Sequence, residues 1–227
     1  MNLEEAFAIL QIDIPLEDAF AHLVNPSTAH YMGTVAEKRG NKAVIHTAAA
    51  SAVGGILTRH FKQKGINVNN VTRREGQIEC LKKEGADYVL NSQGENSEER
   101  LKQLAEKENA TLAFDAVAGD LTHKKLASQP TGSKCLACGG FGGANVQKIN
   151  IMELFKSKAL GGLYVTNPVE EYAQKSQLTK LATELYELLP TTFRTHIHKV
   201  FKLGESKEAV TYYAANSSKG KVVFKPN

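Results

Sequence analysis

The sequence predicts an α/β protein built on a doubly wound parallel sheet, and three observations carry that expectation. Between Asn41 and Glu75 an apolar run with β-branched residues (Ala43, Val44, Ile45) meets small residues (Thr47 to Gly55), then apolar residues at helical spacing (Ile56, Leu57, His60, Phe61). The pattern stops at Gly65 and returns to a β-like run at Ile66 to Val71, which reads as strand, tight turn, helix, strand. The same alternation continues as far as Ala137, and clusters of small residues stand at the ends of the strands. Strands joined through one helix run parallel, with helices on both faces of the sheet.

The elements follow in order. Ile14-Pro15-Leu16-Glu17-Asp18 predicts a proline-led helix start with Ala19, Phe20 and Leu23 on one face. Asn25-Pro26-Ser27-Thr28 is expected to end that helix and cap the next, which carries Tyr31, Met32 and Val35 toward the first strand. After the second strand, Ile78 and Leu81 with the Gly85 stop mark a helix, Tyr88 to Leu90 a short strand, and Glu98 to Glu108 a charged helix carrying Leu101 and Leu104. Thr111 to Phe114 reads as a strand, Leu121 to Leu126 as a helix, and Lys134 to Ala137 as the next strand. Leu163 to Thr166 is the expected last central strand, of about six in all. Glu170 to Leu189 is expected as a long amphipathic helix with Leu178, Leu181, Leu185 and Leu188 inward. Short C-terminal strands outside the main sheet are expected at His196 to Leu203 and Lys221 to Phe224, around a helix from Ser206 to Tyr213.

Composition sets limits. With 227 residues, 42% of them hydrophobic, the chain can bury a good core as one large domain or one domain with an appendage. The net charge of +4 arises from interspersed Lys and Glu rather than a basic stripe, which argues against nucleic acid as a partner. No apolar run approaches the length of a membrane span, and the start, MNLEEAFAIL, is acidic where a leader would be basic. Three cysteines without framework spacing agree with a reducing compartment. The expected location is intracellular, cytoplasmic by default, with a mitochondrial one left open.

A right-handed parallel crossover puts the start of the helix at the carboxyl end of the first strand, where a ligand site lies in such sheets. Free backbone N–H groups and the positive dipole end suit a pyrophosphate there. In the turn Ala49-Ala50-Ser51-Ala52-Val53-Gly54, residues Ala49, Ser51 and Gly54 stand where the GxGxxG fingerprint has its three glycines. Gly54 keeps the close helix-to-strand packing; Ser51 brings a Cβ where the pattern wants bare backbone, and also a hydroxyl that can donate to a phosphate. The turn reads as a dinucleotide site, with a purely structural βαβ turn as the other reading. The second strand ends Val71-Thr72-Arg73-Arg74, with no carboxylate before Glu75 to hold a ribose 2′-hydroxyl. Two guanidiniums there favour a 2′-phosphate, hence NADP over NAD, against the blander reading of a solvated helix start.

Other chemistry is thin. Cys135-Leu136-Ala137-Cys138 is a CxxC, but on a strand an offset of three sends the two side chains to opposite faces, so packing is the expected role. His196 and His198 share a strand face without an evident third ligand, and the other histidines look isolated; no metal site is expected. Asp115 is a candidate general base, although after a central strand a carboxylate more often accepts bonds from loop N–H groups. No nucleophile with an adjacent base stands out. Hydride transfer needs none, since it asks chiefly for register and exclusion of water.

Asn25-Pro26-Ser27-Thr28-Ala29, HTAAASAVGG, NVTRREGQIECLKKEGADYVLNS, LAFDAVAGD and HKVFKLGESKEAVTYYAANSSKGKVVFKP, in that order, resemble the medium-chain dehydrogenase/reductase superfamily. The branch they resemble is that of the zinc-free quinone oxidoreductases and their zinc-binding dehydrogenase relatives. The resemblance implies a Rossmann domain with a nicotinamide dinucleotide site drawn from Thr28, residues Ala49 to Gly54, Arg73, Arg74, Val117, Gly119, Gly139, Gly140, Phe141 and Gly142. It implies hydride transfer to a small quinone or enone, or an accessory, non-catalytic role that keeps the cofactor fold. In the family a GroES-like domain of about a hundred residues precedes this part and supplies much of the substrate pocket. This chain starts almost where that domain would end. The expected division is therefore residues 1–24 as a remnant linker, 25–190 as the dinucleotide-binding domain and 191–227 as a tail. Pairing into a homodimer or hetero-complex is expected through the last central strand and the tail.

Overall fold

A computed structural model describes residues 24–119, 121–143, 145–146, 148–164, 171–172, 174 and 177–225. The expected helix at Ile14 to Leu23 and all of the expected linker at 1–24 but Val24 fall outside those residues, as do Val165 and Thr166.

Six strands form one parallel sheet in the order β3-β2-β1-β4-β5-β6: β1 (Ala43–Thr47), β2 (Asn67–Thr72), β3 (Tyr88–Asn91), β4 (Leu112–Asp115), β5 (Lys134–Ala137) and β6 (Ala159–Gly162). The chain reverses direction across the sheet between β1 and β4, and this leaves a crevice at their carboxyl ends. Registers are regular; Val44 faces Val68 on one side and Leu112 on the other. Every residue of β1 and of β4 is buried, as a parallel sheet covered on both faces requires.

Alternation along these strands divides the core in two. Val44, Leu112, Phe114 and Leu136 join Met32, Phe61 and Phe193 on one face, whereas Ile45, Ala113 and Cys135 join Val71, Leu101 and Leu126 on the other. The first face is covered by α1 (Val24–Lys38), α2 (Ala52–Gln63) and α7 (Leu178–Leu188); α4 (Ser97–Lys107) and α5 (Leu121–Ser128) cover the second. Helix α3 (Gly76–Lys83) follows β2, and the five-residue α6 (Ile151–Phe155) precedes β6. A separate two-stranded parallel sheet pairs β7 (Ile197–Lys202) with β8 (Lys221–Lys225), joined through a 3₁₀ turn at Leu203–Glu205 and α8 (Ser206–Asn216). Among the described residues no helix is long and apolar enough to cross a membrane.

Four expectations need correction. Asn25 to Thr28 do not cap a helix: they lie within the first turns of α1, where Pro26 is tolerated because early N–H groups have no intrahelical acceptor. The last strand of the sheet among the described residues is Ala159–Gly162, and Leu163 and Tyr164 follow it outside the strand. Its register is fixed by β5, with Ala159 N–H donating to Ser133 O and Leu163 N–H to Ala137 O, so a glycine-rich segment becomes a strand through its neighbour. The stretch expected as one amphipathic helix is interrupted at Gln177, φ −117°: Glu171, Tyr172 and Gln174 are helical before it and α7 starts after it at Leu178, with Leu178, Leu181 and Leu185 buried and Leu188 partly so. Helix α8 runs three residues beyond Tyr213, and His196 precedes β7, whose start carries an irregularity in register between Ile197 and Lys199.

Candidate functional site

Local chemistry shapes the turn after β1. Ala48 takes the left-handed conformation, φ 50°, a position that costs an alanine about 1–2 kcal/mol. Ala49 N–H donates to Val71 O and Ser51 N–H to Ala48 O, which holds the turn in place. Ser51 is the N-cap of α2: its Oγ accepts from Gly54 N–H at 3.2 Å. Accepting that bond leaves the hydroxyl proton free to donate. The N–H groups of Ala52 and Val53, first in the helix, have no acceptor within it and point toward the crevice end. Gly54 cannot be anything else, because a Cβ there would stand 1.9 Å from Ala49 O.

The loops after β4 and β5 are knitted to each other. Cys138 N–H donates to Asp115 O, Phe141 N–H to Ala116 O and Gly142 N–H to Val117 O. A Cβ on Gly119 would meet Gly142 O at 2.6 Å, one on Gly139 would meet Ala116 O at 2.7 Å, and one on Gly142 would meet Val117 Cγ1 at 2.9 Å. These glycines are required by close backbone approach, whatever the ligand.

Together the turns border a cavity of about 900 Å³ at the carboxyl end of the sheet. Of the residues expected from sequence, Thr28, Ala50, Ser51, Ala52, Val53, Arg73, Arg74, Val117, Gly139 and Phe141 line it. Ala49, Gly54, Gly119, Gly140 and Gly142 stand off the wall and shape the turns behind it. Thr28 spends its hydroxyl on Val24 O at 2.6 Å, and Phe141 is 77% exposed at the rim. Arg73 and Arg74 are exposed, and Gln77 Oε1 accepts from both of their backbone N–H groups at 3.2 Å, which fixes the corner from the first turn of α3. Glu75, the next residue in the chain, accepts from Asn91 Nδ2 on β3 at 3.0 Å.

Asp115 is a structural carboxylate. Fully buried, it accepts from Thr47 Oγ1 (2.7 Å), Val117 N–H (3.0 Å), Ala118 N–H (3.2 Å), Thr122 Oγ1 (2.7 Å) and Lys125 Nζ (2.5 Å). Burial by itself pushes its pKa up; the Lys125 ammonium and the bonds from Lys125, Thr122 and Thr47 outweigh it and hold the carboxyl below the usual range. It ties the carboxyl ends of β1 and β4 to the start of α5. His46, buried beside this cluster, also lines the cavity, and burial drives its pKa down to about 4, with Lys125 adding to the effect and Asp115 opposing it.

Sequence reasoning missed several neighbours. Lys125, Gln77 and the tail residues Tyr213, Ser217 and Lys221 all reach the cavity, and only Gln77 left a signal, as an amide four residues after Arg73 at a helix start. Two of the histidines expected to be isolated are not: His30 Nε2 lies 3.0 Å from Glu184 Oε2, and its ring stacks on His60 at 6.2 Å. Burial pushes His60 down to about 3, with Lys64 and His30 adding to it. The cysteines sit on opposite faces of the sheet, as the strand offset predicts; Cys135 is in one core half and Cys138 packs against the other. Burial, then the Asp115 charge, pushes both thiols up to about 12. His198 Nε2 pairs with Tyr212 OH at 2.9 Å. Among the described residues no group of three or more His, Cys, Asp or Glu side chains is placed to hold a metal ion.

The chain is similar to prostaglandin reductase 1 of Sus scrofa, 29% identical over 140 residues that span 61% of this chain and 43% of that protein. Similarity to human mitochondrial enoyl-[acyl-carrier-protein] reductase extends to 82% of this chain and 51% of that one, at 26% identity. The chain thus spans about half the length of these relatives. Among solved structures, a putative NADPH:quinone reductase from Mesorhizobium loti superposes with a TM-score of 0.82 over 94% of this chain and 62% of that one, at 24% identity. A mycobacterial protein complexed with NADPH superposes at 0.75 over 94% of this chain and 66% of that one, with 20% identity. The zinc-binding dehydrogenase family pattern matches residues 52–181, from the first residue of α2 into α7, and the chain belongs to that family, within the medium-chain dehydrogenase/reductase superfamily.

Proposed function

We propose that this chain binds a nicotinamide dinucleotide across the carboxyl ends of β1, β2, β4 and β5, prefers NADPH, and belongs to a reductase of quinones or enones. The observation that carries the reading is the pairing, on one cavity wall, of the α2 start with the Arg73-Arg74 corner. Ala52 and Val53 N–H with the Ser51 hydroxyl suit a pyrophosphate. Arg73 and Arg74 suit a 2′-phosphate, the carboxylate next to them in the chain, Glu75, is engaged with Asn91, and Glu98 on the cavity wall is engaged with Lys124. The named relatives and an NADPH-bound neighbour agree with that chemistry.

A bound nicotinamide would supply a hydride at this site, and with a proton from solvent the transfer would take a quinone to the hydroquinone. The chain's own contribution is to hold the dinucleotide and to cover one side of it with Thr28, Val53, Cys138 and Phe141, which limits water at that side. In this reading the dinucleotide domain spans residues 25–190, the tail spans 191–227, and copies or partner subunits meet through the last strand of the sheet and the tail.

Fluorescence titration with NADPH and NADH tests it. NADPH binds tighter, and Arg73→Ala/Arg74→Ala weakens NADPH by about tenfold or more while leaving NADH nearly unchanged, since charge-assisted bonds are worth ~1.5–3 kcal/mol. Equal or tighter binding of NADH removes the arginine assignment. Stopped-flow oxidation of NADPH with 1,2-naphthoquinone and a 2-enal then reads turnover, expected at least a hundredfold below common enzyme efficiencies of ~10⁴ M⁻¹s⁻¹ for the isolated chain. Cofactor binding with no turnover points to the accessory role.

A further inference from the structure

Of the described side chains with a buried polar atom that lacks a hydrogen-bond partner, His46 alone lines the cavity. It stands next to the carboxyl end of β1, is 1% exposed, and makes no hydrogen bond with the chain: Nδ1 is sealed from solvent without a partner, which leaves Nε2 as the polar atom of the ring on the cavity side. Its surroundings have avoided that state. Thr47 donates to Asp115, and Thr58 donates to Gly54 O at 3.0 Å and lies 3.2 Å from Oδ1 of Asn70, the residue paired in register with His46 on β2. On β4 the residue opposite His46 is Phe114, which offers nothing to bond. A buried polar group left unpaired costs about 1–3 kcal/mol, and native proteins keep few of them.

Topology says which part of a ligand meets this ring. Strands β2 and β4 flank β1 on opposite sides. With the pyrophosphate on the α2 start and the 2′-phosphate at the Arg73-Arg74 corner after β2, the other half of a dinucleotide crosses toward β4 and β5. Alternation puts His46 on the face of β1 that carries Val44, the face covered by α1 and α2, and the cavity residues Met32, Val53 and Cys138 belong to that same core half. The first group past the pyrophosphate on this side is the ribose that carries the nicotinamide. Met32 and Val53 are apolar and Thr28 donates to Val24 O, so the wall offers little else to a sugar. Burial drives the His46 pKa down to about 4, and the neutral ring has one N–H and one lone pair, which match a hydroxyl rather than a phosphate.

We propose that His46 is a binding residue of the dinucleotide site and that its Nε2 shares a hydrogen bond with a hydroxyl of the nicotinamide ribose. The site then selects for a ribose beyond the pyrophosphate, which the arginine corner cannot do because it meets the opposite end of the ligand. This rests on the dinucleotide reading and deepens it.

Titration calorimetry of the full chain with ADP-ribose 2′-phosphate and with ADP 2′-phosphate, which lacks the second ribose, tests the assignment. His46→Phe keeps an aromatic ring and removes its nitrogens. It is expected to weaken ADP-ribose 2′-phosphate about three- to tenfold, the range of one uncharged hydrogen bond, and to leave ADP 2′-phosphate within about twofold. His46→Gln, which keeps a donor and an acceptor, restores most of the loss. A second measurement needs no variant: in protein labelled with ¹⁵N at histidine, the His46 ring nitrogens shift on addition of ADP-ribose 2′-phosphate and stay in place with ADP 2′-phosphate. Equal weakening of both ligands, weakening of neither, or unmoved His46 resonances with ADP-ribose 2′-phosphate bound overturns the assignment and leaves the dinucleotide reading standing. A wild-type chain that binds neither ligand overturns both.

Discussion

The centre of the sheet and its β6 edge are built from the same backbone pattern and behave as opposites. At the centre, β1 and β4 are buried along their whole length, Gly54 has an oxygen 1.9 Å from where its Cβ would be, and Asp115 satisfies five donors. At the edge, Gly162 has nothing within 4 Å of its missing Cβ, both ends of β6 are exposed, and Tyr164 and Phe155 are about 70% exposed. The turn proposed here to hold a pyrophosphate rests on the first region and the proposed subunit contact on the second. Precision is thus concentrated where a ligand is to be positioned, while the edge is left adaptable.

The sharpest way to break this contrast is a pair of glycine substitutions. Gly54→Val drives a branched side chain into Ala49 O, and loss of native folding, or at least ~4 kcal/mol in urea denaturation, is expected. Gly162→Ala meets open space and stays within ~0.5 kcal/mol of wild type. Equal effects would remove the distinction.

Next in size is the buried ion pair. Asp115→Asn leaves Lys125, 5% exposed, without its counter-charge and costs about 3–5 kcal/mol, while Asp115→Asn/Lys125→Met recovers most of it. Calorimetry of the two variants separates a lost charge partner from lost packing.

Acid stability should follow the buried histidines. His46 and His60 have folded pKa values of about 4 and about 3, below the unfolded ~6.5, so the unfolded state binds more protons between those values. Their contribution is complete above pH ~6.5 and is lost as pH falls toward 4, each adding roughly 1.4 kcal/mol per pH unit of slope. His60→Gln flattens that slope in denaturation curves taken from pH 7 to 4; an unchanged slope would mean that His60 does not contribute.

The smallest effect is chemical. Native protein treated with iodoacetamide at pH 8 is alkylated at Cys80, which is exposed, and spared at Cys135 and Cys138, whose thiols are pushed up to about 12. Labelling of Cys138 at a rate near that of Cys80 would show that the strand end opens readily.

The contrast also explains what could be read from sequence. The β1-α2-β2 unit was legible because each step has a local signature: β-branched residues, small residues, helical spacing, a glycine stop. Lys134 to Ala137 was legible as a short apolar stretch that runs into the small residues Cys138-Gly139-Gly140. The Ala159–Gly162 strand was not, because two glycines and an alanine have little β-propensity and the strand exists by pairing with β5. Within the site, Gly54 and the arginine corner announce themselves in the chain, whereas Lys125 does not: a buried lysine ten residues from its carboxylate has no local pattern, and lysines are rarely buried. The tail's share of the cavity, through Tyr213 and Lys221, arises from contacts between distant segments and leaves no periodicity to detect.

The position of β1 between β2 and β4 has a consequence for synthesis on the ribosome. β1 can pair with β2 as soon as Thr72 has emerged, but its other edge waits for β4, and the Thr47–Asp115 bond joins residues 68 apart. At roughly 5–20 residues per second that interval lasts about 3–14 s, during which an apolar strand edge stands unpaired in the nascent chain. Translation speed between codons 48 and 115 therefore sets how long the most buried strand of the finished protein is available to chaperones, or to another nascent chain.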